Sequence, residues 1–599
     1  MTKKKQSLFT KIFSRRPKKA IDLNDNTIVT PTQMIVNNFK ENKLAIFGLI
    51  GFILVMLFTF VGSAFVKFDV NYTQTTLRNI APGNNHLAIP SHLNGKVKKI
   101  AAGTSFGFAI DTDGQLHSWG TDKSGVLNIP ETAKTKKFKD VAVSNQHVIA
   151  LTTSGDVMMW GDNSADQSKL DPIYEVKMSA AGVDKVFAGP LYSGVLLGNK
   201  KIITWGSNSV QQLSINAEWD GHIVDVATTT ENMILLLDDG SVRVTGGNIL
   251  SSSLPAELTD GRVKAKKIAA SYLNGLVLTE NNKLISWGAS DKGLEIKEQF
   301  TKTVKDIKAG YNHFLILFED GTITTVGTQT AYGEDKVPQV SDVTAVYAGY
   351  FQNYAVRSNA VDAWGLSGFI LGSDELGRDV LTRLMNGGKT SLLVGIVAVV
   401  ITTIIGVTVG LIAGFVGGAV DNLLMRFAEI ITSIPFLPLL ITLSAVLGNS
   451  LNPSQRMYLV MVIIGVLSWV GLARLIRGQI LIEREKDFIL AARALGIRES
   501  KIILKHILPS ILSIVIVNMT LSYGGMMLTE AGLSFLGFGV VQPTPTWGNM
   551  LNGAQSAEVI QFYWWRWLFP ALAVFLTVLC VNLVGDGLRD AVDPKSNQK

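Results

Sequence analysis

Six stretches of this chain are apolar over about 18 residues or more, enough for each to cross a hydrocarbon layer of roughly 30 Å as a helix. They run near Leu44 to Val66, Thr390 to Phe415, Ile430 to Leu447, Tyr458 to Leu475, Ile511 to Leu528 and Trp567 to Val584. Some 320 largely polar residues separate the first from the second. A membrane-spanning backbone has to satisfy its own N–H and C=O groups, so these runs dictate a helical membrane protein that carries a large polar insertion. The composition agrees: with 599 residues, 47% hydrophobic, 17% charged and a mean hydropathy of +0.28, the chain is too apolar for a soluble protein and too polar to lie in lipid throughout. The first stretch reads as a retained anchor rather than a signal peptide. Its apolar run is long, no small-residue cleavage site is clear, and about 40 mostly polar residues precede it.

The charges divide along the same boundary. Lys67 to Ser367 holds 28 Lys+Arg against 31 Asp+Glu, and the remainder 27 against 17. The basic excess therefore belongs to the membrane part and reports topology, not nucleic-acid binding. Ten Lys and Arg lie in the first 43 residues and seven in the loop 476–510, whereas Gly448 to Met457 offers only Arg456. Both termini are thus expected in the cytoplasm, and the long insertion outside the cell. The cluster FYWWRW, Phe562 to Trp567, is expected in the outer aromatic belt.

The insertion repeats itself. Units of the form apolar-x-Ala-Gly, ending in Trp-Gly, begin at Ile100, Val141, Val186, Val226, Ile268, Ile307 and Val346, at spacings of 41, 45, 40, 42, 39 and 39 residues, with the opening Ala-Gly relaxed at Val141, Val226 and Ile268. Within a unit, β-patterned runs alternate with Gly turns, as in FGFAI, DTDG and QLHSWG. Gly supplies the positive φ of a tight hairpin, so each unit reads as about four short strands, and seven such units predict a seven-bladed β-propeller. In this the insertion resembles the propellers of the regulator of chromosome condensation type. Trp119, Trp160, Trp205, Trp287 and Trp364 stand at that family's Trp-Gly position, with Thr245 and Val326 as departures. Tryptophan and glycine there pack the fold and carry no activity, so a nucleotide-exchange role on chromatin does not follow from the likeness. His147 and His313 read as hydrogen-bonded core residues. The acidic run at Asp162, Asp166 and Asp171 lacks the Gly and Glu of a calcium loop, so no metal site is assigned. The lone Cys580, in the last apolar run, reads as an inert thiol.

With the insertion removed, about 300 residues with six spans remain. They contain LGSDELGRDVLTRL from Leu371, AARALG from Ala491 to Gly496 followed after nine residues by HILP ending at Pro509, LSFLGFGVVQPTPTWGNML from Leu533, and GDGLRDAVDP from Gly585 to Pro594. On these four motifs, in order and each at a span boundary, this part resembles the permeases of ATP-binding-cassette importers, C-type subunits of the oligopeptide, dipeptide and nickel group. The resulting expectation is a multi-domain membrane protein: residues 1–43 cytoplasmic, 44–66 a first transmembrane helix, 67–367 an extracellular all-β seven-bladed propeller with repeats over about 95–366, and 368–599 a permease core with five further helices.

The resemblance implies a function. Residues Ala491, Ala492, Arg493, Gly496, Arg498, His506 and Pro509 would form the cytoplasmic helix that docks on the ATPase, its small side chains allowing close approach, its arginines meeting acids and Pro509 ending the segment. The general pattern has Glu before Ala491, where this chain has Leu490. The sequence Gly388-Lys389-Thr390 lacks the first glycine of a phosphate-binding loop, since Arg383 stands there, so the chain encodes no nucleotide site and ATP and magnesium would be bound by two partner ATPase subunits. A homologous second permease and an extracellular substrate-binding lipoprotein would complete the importer. No residue reads as catalytic and no cofactor is assigned to this chain. Glu530, an acid at membrane depth, reads either as part of the path or as one half of a structural ion pair, and Asp374, Arg378 and Asp379 read as a surface ion-pair lattice or as substrate contacts. The propeller would dock the binding protein. The competing expectations are nickel or another solute as cargo, and an adhesion or sensing propeller on a degenerate transporter.

Overall fold

A computed structural model describes residues 31–66, 68–122, 124–327, 330–448 and 450–592. The basic run from Lys3 to Lys19, and Asp593 and Pro594 of the last motif, lie outside the described residues.

Among the described residues five helices are long and apolar enough to cross a membrane: Lys43–Ala64, Val380–Val416, Pro453–Glu483, Glu499–Phe535 and Trp565–Val592. The expected third span is different. Its apolar run is split between Gly418–Ser433 and Phe436–Gly448, two arms that meet at 81°. Ile434 at the break is extended, φ −88 and ψ 129, and directly precedes Pro435. The proline ring clashes with a helical residue before it, so the helix stops there although hydropathy continues. The second span is also longer than its apolar run, because Asp379 caps a helix that starts at Val380, ten residues before Thr390.

Close helix contact in this half rests on small residues. Gly406, Gly410 and Gly414 form one face of Val380–Val416, and a Cβ at Gly410 would come within 2.7 Å of the Ala473 carbonyl on the Pro453–Glu483 helix. In lipid, helices gain little from hydrophobic exclusion. Backbone approach of this kind supplies the dispersion contact instead.

The insertion folds as seven antiparallel sheets, each of three strands contiguous in sequence. The first comprises Val97–Ala102, Phe106–Asp111 and Leu116–Gly120. The fourth strand expected per unit is absent among the described residues. Its place in the sequence is taken by turns and short helices such as Glu131–Lys134 and Pro172–Ala181, whose proline-led starts lack the alternation a strand needs. The seven repeat starts, Ile100 through Val346, are all buried in inner strands. Neighbouring sheets touch in order and the seventh meets the first, where Gln352 Nε2 donates to the Thr104 carbonyl at 2.7 Å and Trp119 Nε1 to the Tyr354 hydroxyl at 3.3 Å. The result is a closed, propeller-like ring.

The five tryptophans fix sheet to sheet. Besides Trp119, the indoles of Trp160, Trp205, Trp287 and Trp364 donate to the carbonyls of Val126, Gln167, Leu250 and Glu334 in the preceding connections, at 2.8 to 3.1 Å. Thr245 departs from the pattern yet keeps its chemistry, since its Oγ1 donates to the Gln212 carbonyl at 2.6 Å. Each unit closes on a glycine with φ between +88 and +148, and at Gly246 a Cβ would fall 2.0 Å from the Glu231 carbonyl. His147 bridges to Ser193 at 2.9 Å and His313 to Asn353 at 2.8 Å, both across sheets.

Two outcomes follow. Thr245→Val keeps the shape and leaves the buried Gln212 carbonyl without its donor, so unfolding free energy should fall by about 1–3 kcal/mol, read by chemical denaturation followed by tryptophan fluorescence. The second concerns pH. Burial lowers His86, His147 and His313 to about 4 from an ordinary 6.5, so the unfolded chain binds more protons than the folded one between those values. Their contribution is intact above about 6.5 and is lost as pH falls toward 4. Glu334, raised to about 7 by burial, acts in the opposite direction but is one group against three. The thermal midpoint should drop over this window, and His147→Gln with His313→Asn should flatten that slope.

Candidate functional site

The segment expected to meet an ATPase is a helical turn at the end of the membrane half. The Pro453–Glu483 helix continues eight residues into the loop 476–510. A short helix, Asp487–Ala494, follows, and Gly496 at φ +73 turns the chain into Glu499–Ile502. A π-turn, Ile503–Ile507, then leads directly into Leu508–Phe535. Pro509 therefore does not end the segment. It sits in the first turn after the wider π-turn, where its missing N–H is tolerated and the helix runs on.

Only part of the predicted set faces outward. Ala492 is 7% exposed and packs with Ile489, Ile502 and Phe415, while the Arg493 guanidinium lies 4.9 Å from the Phe415 ring centre. Ala492 offers no free surface, because a helix of eight residues must bury one face to hold its place, whereas Arg493 stays exposed beside the ring. Ala491, Gly496, Arg498, His506 and Pro509 are exposed. With them stand four apolar side chains: Phe488, Leu490, Ile497 and, 80% exposed, Leu495. Leu490, at the position where an acid was expected, thus belongs to an apolar patch. Of the cations counted in this loop, Arg477 forms a bidentate pair with Asp421 and Arg484 donates to the Gly414 carbonyl at 3.2 Å.

At the opposite end, the insertion joins the membrane half through a buried lattice of charges. The junction lies at Gly83, whose N–H donates to the Phe369 carbonyl at 2.9 Å in an antiparallel bridge. Residues 68–82 fold back on 370–379, so the ring emerges from this bridge and not from the end of the first helix. Arg378, 3% exposed, donates from Nε to Asp374 Oδ2 at 2.7 Å, from Nη1 to Gln542 at 2.8 Å and from Nη2 to Glu375 at 3.4 Å. Arg383 pairs with Asp374 at 3.4 Å and reaches the carbonyls of Val70 and Pro543. Arg566 joins Glu375 to Asn79. Burial alone would raise Glu375, but Arg566 and Arg378 hold it below its ordinary value. Asp379 takes no part in the lattice; its Oδ2 accepts from Thr382 N at 2.8 Å and caps the helix.

Sequence reasoning missed Glu375, Arg383, Gln542 and Arg566. Glu375 and Arg383 sit inside LGSDELGRDVLTRL, Gln542 inside LSFLGFGVVQPTPTWGNML and Arg566 inside the aromatic cluster. That cluster is divided rather than a uniform belt: Phe562 and Trp564 are exposed, whereas Trp565 is 4% exposed and donates to the Ser373 carbonyl at 3.0 Å. Glu530, fully buried, pairs with no cation among the described residues. It accepts from Ser391 at 3.1 Å and Ser534 at 2.8 Å, and Ser391 in turn accepts from Trp547 N, so the acid fastens Val380–Val416 to the turn at Trp547. Gly388 is the space for Trp547, whose ring a Cβ would approach to 2.7 Å.

The ring surrounds a central cavity of about 320 Å³ lined by all seven sheets. At one register of the inner strands the residues are Lys99, Asp140, Lys185, Asp225, Lys267 and Asp306, and the ion pairs Lys99–Asp140, Lys185–Asp225 and Lys267–Asp306 each tie two sheets. The signal was present one residue before six of the seven repeat starts. At the other mouth Tyr272 stacks on Tyr311, centres 4.6 Å apart, with Tyr350 beside them.

Comparison with known proteins places these parts. Residues 406–598 match the family model of the binding-protein-dependent transport system inner membrane component, residues 30–82 that of the N-terminal transmembrane domain of oligopeptide transport permease C, and residues 97–126 and 138–167 that of the regulator of chromosome condensation repeat. The second match stops where the Gly83 bridge begins. The chain is 45% identical over 244 residues to the oligopeptide transport system permease protein OppC of Escherichia coli K12, covering 41% of this chain and 77% of that one. It is 41% identical over 225 residues to a putative peptide permease protein of Brucella ovis, covering 38% and 72%. Among solved structures, the CRINKLY ectodomain of the Arabidopsis thaliana receptor kinase ACR4 aligns at 15% identity and TM-score 0.35, covering 45% of this chain and 96% of that one. The MetNI methionine transporter aligns at 22% and 0.29, covering 35% and 96%.

Arg378→Met should test the lattice. It removes one buried cation while Asp374 keeps Arg383 and Glu375 keeps Arg566, so the loss should be about 1.5–3 kcal/mol, the worth of a hydrogen bond to a charged group, and the thermal midpoint of the purified protein should fall accordingly.

Proposed function

Because the chain belongs to the oligopeptide-type permeases of binding-protein-dependent transport, we propose that it forms one half of the translocation path of an ATP-driven peptide importer and couples to its ATPases through residues Ala491 to Pro509. Membership of this family makes it a multi-pass membrane subunit of a larger complex. The partners in this reading are a homologous second permease, two ATPase subunits that bind ATP and magnesium, and an extracellular peptide-binding lipoprotein.

One observation carries the coupling. Phe488, Leu490, Leu495 and Ile497 are exposed together on a helical turn braced from behind by Ala492 and Arg493. Large apolar side chains grouped on a braced turn are costly in water and are the residues a groove in a partner would bury. Their apolar character, with Leu490 in place of an acid, predicts an interface held more by burial than by ion pairs.

The seven-bladed ring would stand outside the cell over the entrance and dock the lipoprotein. The lattice at Arg378 and Arg566 supports a positioning role, since it ties the segments that enter and leave the ring to the membrane half beside the path. A tethered adhesion domain has no need of that.

Affinity purification in mild detergent checks both parts. Wild type should bring down a second permease, two ATPases and a peptide-binding lipoprotein. Leu495→Asp should lose the ATPases and keep the second permease. Replacing residues 84–368 by a short turn, which preserves the Gly83–Phe369 junction, should lose only the lipoprotein. Wild type recovered without any ATPase would sink the coupling assignment, and undiminished lipoprotein after ring removal the docking assignment.

A further inference from the structure

A second cavity, of about 230 Å³, lies in the seam between the ring and the membrane half and has no part in the roles above. Its walls come from both sides of the junction: Phe68 and Tyr72 from the segment that enters the ring, Tyr332 from the ring itself, and Phe369 and Asp379 from the segment that leaves it. The rings converge on Tyr332. Phe68 stands 5.6 Å from it at 69°, Tyr72 5.9 Å at 81° and Phe369 6.3 Å at 90°, while Phe68 and Phe369 are 5.6 Å apart.

Two carboxylates complete the lining. Asp379 is 5% exposed, and its contacts are those of a helix cap, from Thr382 N and Oγ1. No cation pairs with it among the described residues, since Arg378 and Arg383 direct their donors to Asp374, Glu375, Gln542 and two carbonyls. Asp69 stands exposed at the rim; its Oδ1 holds the turn at Asn71 and Tyr72, and Oδ2 receives no donor among the described residues. Burial keeps Asp379 above its ordinary value, as fits an acid that faces no positive group among the described residues.

Aromatic faces carry partial negative charge, and a cation placed against them gains most where water is excluded. A neutral apolar occupant would leave the Asp379 carboxyl against hydrocarbon, and an anion would meet two acids. A metal ion needs a shell of about six or more oxygen ligands, and two carboxylates, both already engaged in capping backbone N–H groups, do not make one; among the described residues no group of three or more His, Cys, Asp or Glu side chains could hold a metal ion. We propose that this cavity binds an organic ammonium group, its alkyl surface against Phe68, Tyr72, Tyr332 and Phe369 and its charge shared by Asp69 and Asp379. The group can arrive on the N-terminus of a peptide or as a small quaternary amine. The peptide source rests on the transport reading above, and the site itself does not.

The test uses the full chain alone in nanodiscs, titrated calorimetrically with tetramethylammonium and with choline. Saturable binding is expected, with 3,3-dimethylbutan-1-ol, the uncharged isostere of choline, weaker by about tenfold or more. Asp379→Asn keeps a cap acceptor and Asp69→Asn keeps the turn, and each should weaken binding several-fold. Asp69→Asn, at an exposed position, carries the result if the other variant lowers the thermal midpoint. Competition by trialanine but not by N-acetyl-trialanine identifies the peptide N-terminus as the source, and competition by neither identifies a small quaternary amine. No saturable binding, equal binding of the uncharged isostere, or wild-type affinity in the Asp69→Asn variant would overturn the site. Because the readout is binding to the isolated chain, it is independent of whether ATPases are recovered.

Discussion

The guanidinium of Arg378 is the group on which the joined architecture depends. An arginine 3% exposed is tolerable only if every donor has a partner, and its partners come from its own turn and from Gln542, far along the chain. Arg383 and Arg566 extend the same requirement to Val70 and Asn79. Desolvation makes each unpaired end expensive, so the segments entering and leaving the ring are locked to the membrane half together. A ring of some 285 residues can be set into a permease because the chain leaves and returns at one bridge, Gly83 to Phe369, and the helices below are not asked to move apart.

The ring has its own constraint, which is that its number of sheets is odd. Lysine and aspartate alternate from Lys99 to Asp306, and each ion pair joins neighbouring sheets. Around seven positions, alternation must fail once. It fails at Ala345, which is uncharged, and there Tyr347 instead reaches the Lys98 carbonyl across the seam where the last sheet meets the first. Thr245 shows the same economy of chemistry: what each unit needs at the Trp position is a buried donor to the preceding connection, and a hydroxyl serves where an indole is missing.

Much of this was legible in the residues because the signals are local and periodic. Apolar runs locate five of the spans, the 40-residue period gives the units and their glycines, and four motifs identify the permease half. What was misread involves facing and continuity. Ile430 to Leu447 is unbroken in hydropathy, yet Pro435 bends it by 81°. Ala491 and Ala492 are alike in sequence, but only Ala491 is exposed. Glu530 looked equally suited to an ion pair and is held by hydroxyls, because Ser391 and Ser534 happen to lie within reach of it.

The sequence by itself determined that the chain spans a membrane as helices, that a repeated β-structure interrupts it, and which family its membrane half belongs to. Each of these follows from hydropathy, period or a contiguous motif. Only the tertiary structure decided how the two halves meet. Phe68, Tyr72, Tyr332, Phe369 and Asp379 share one cavity, and Asn79, Glu375 and Arg566 one lattice, although hundreds of residues separate their members. No local pattern can record such a meeting, because it is fixed by where ring closure and helix packing return the chain.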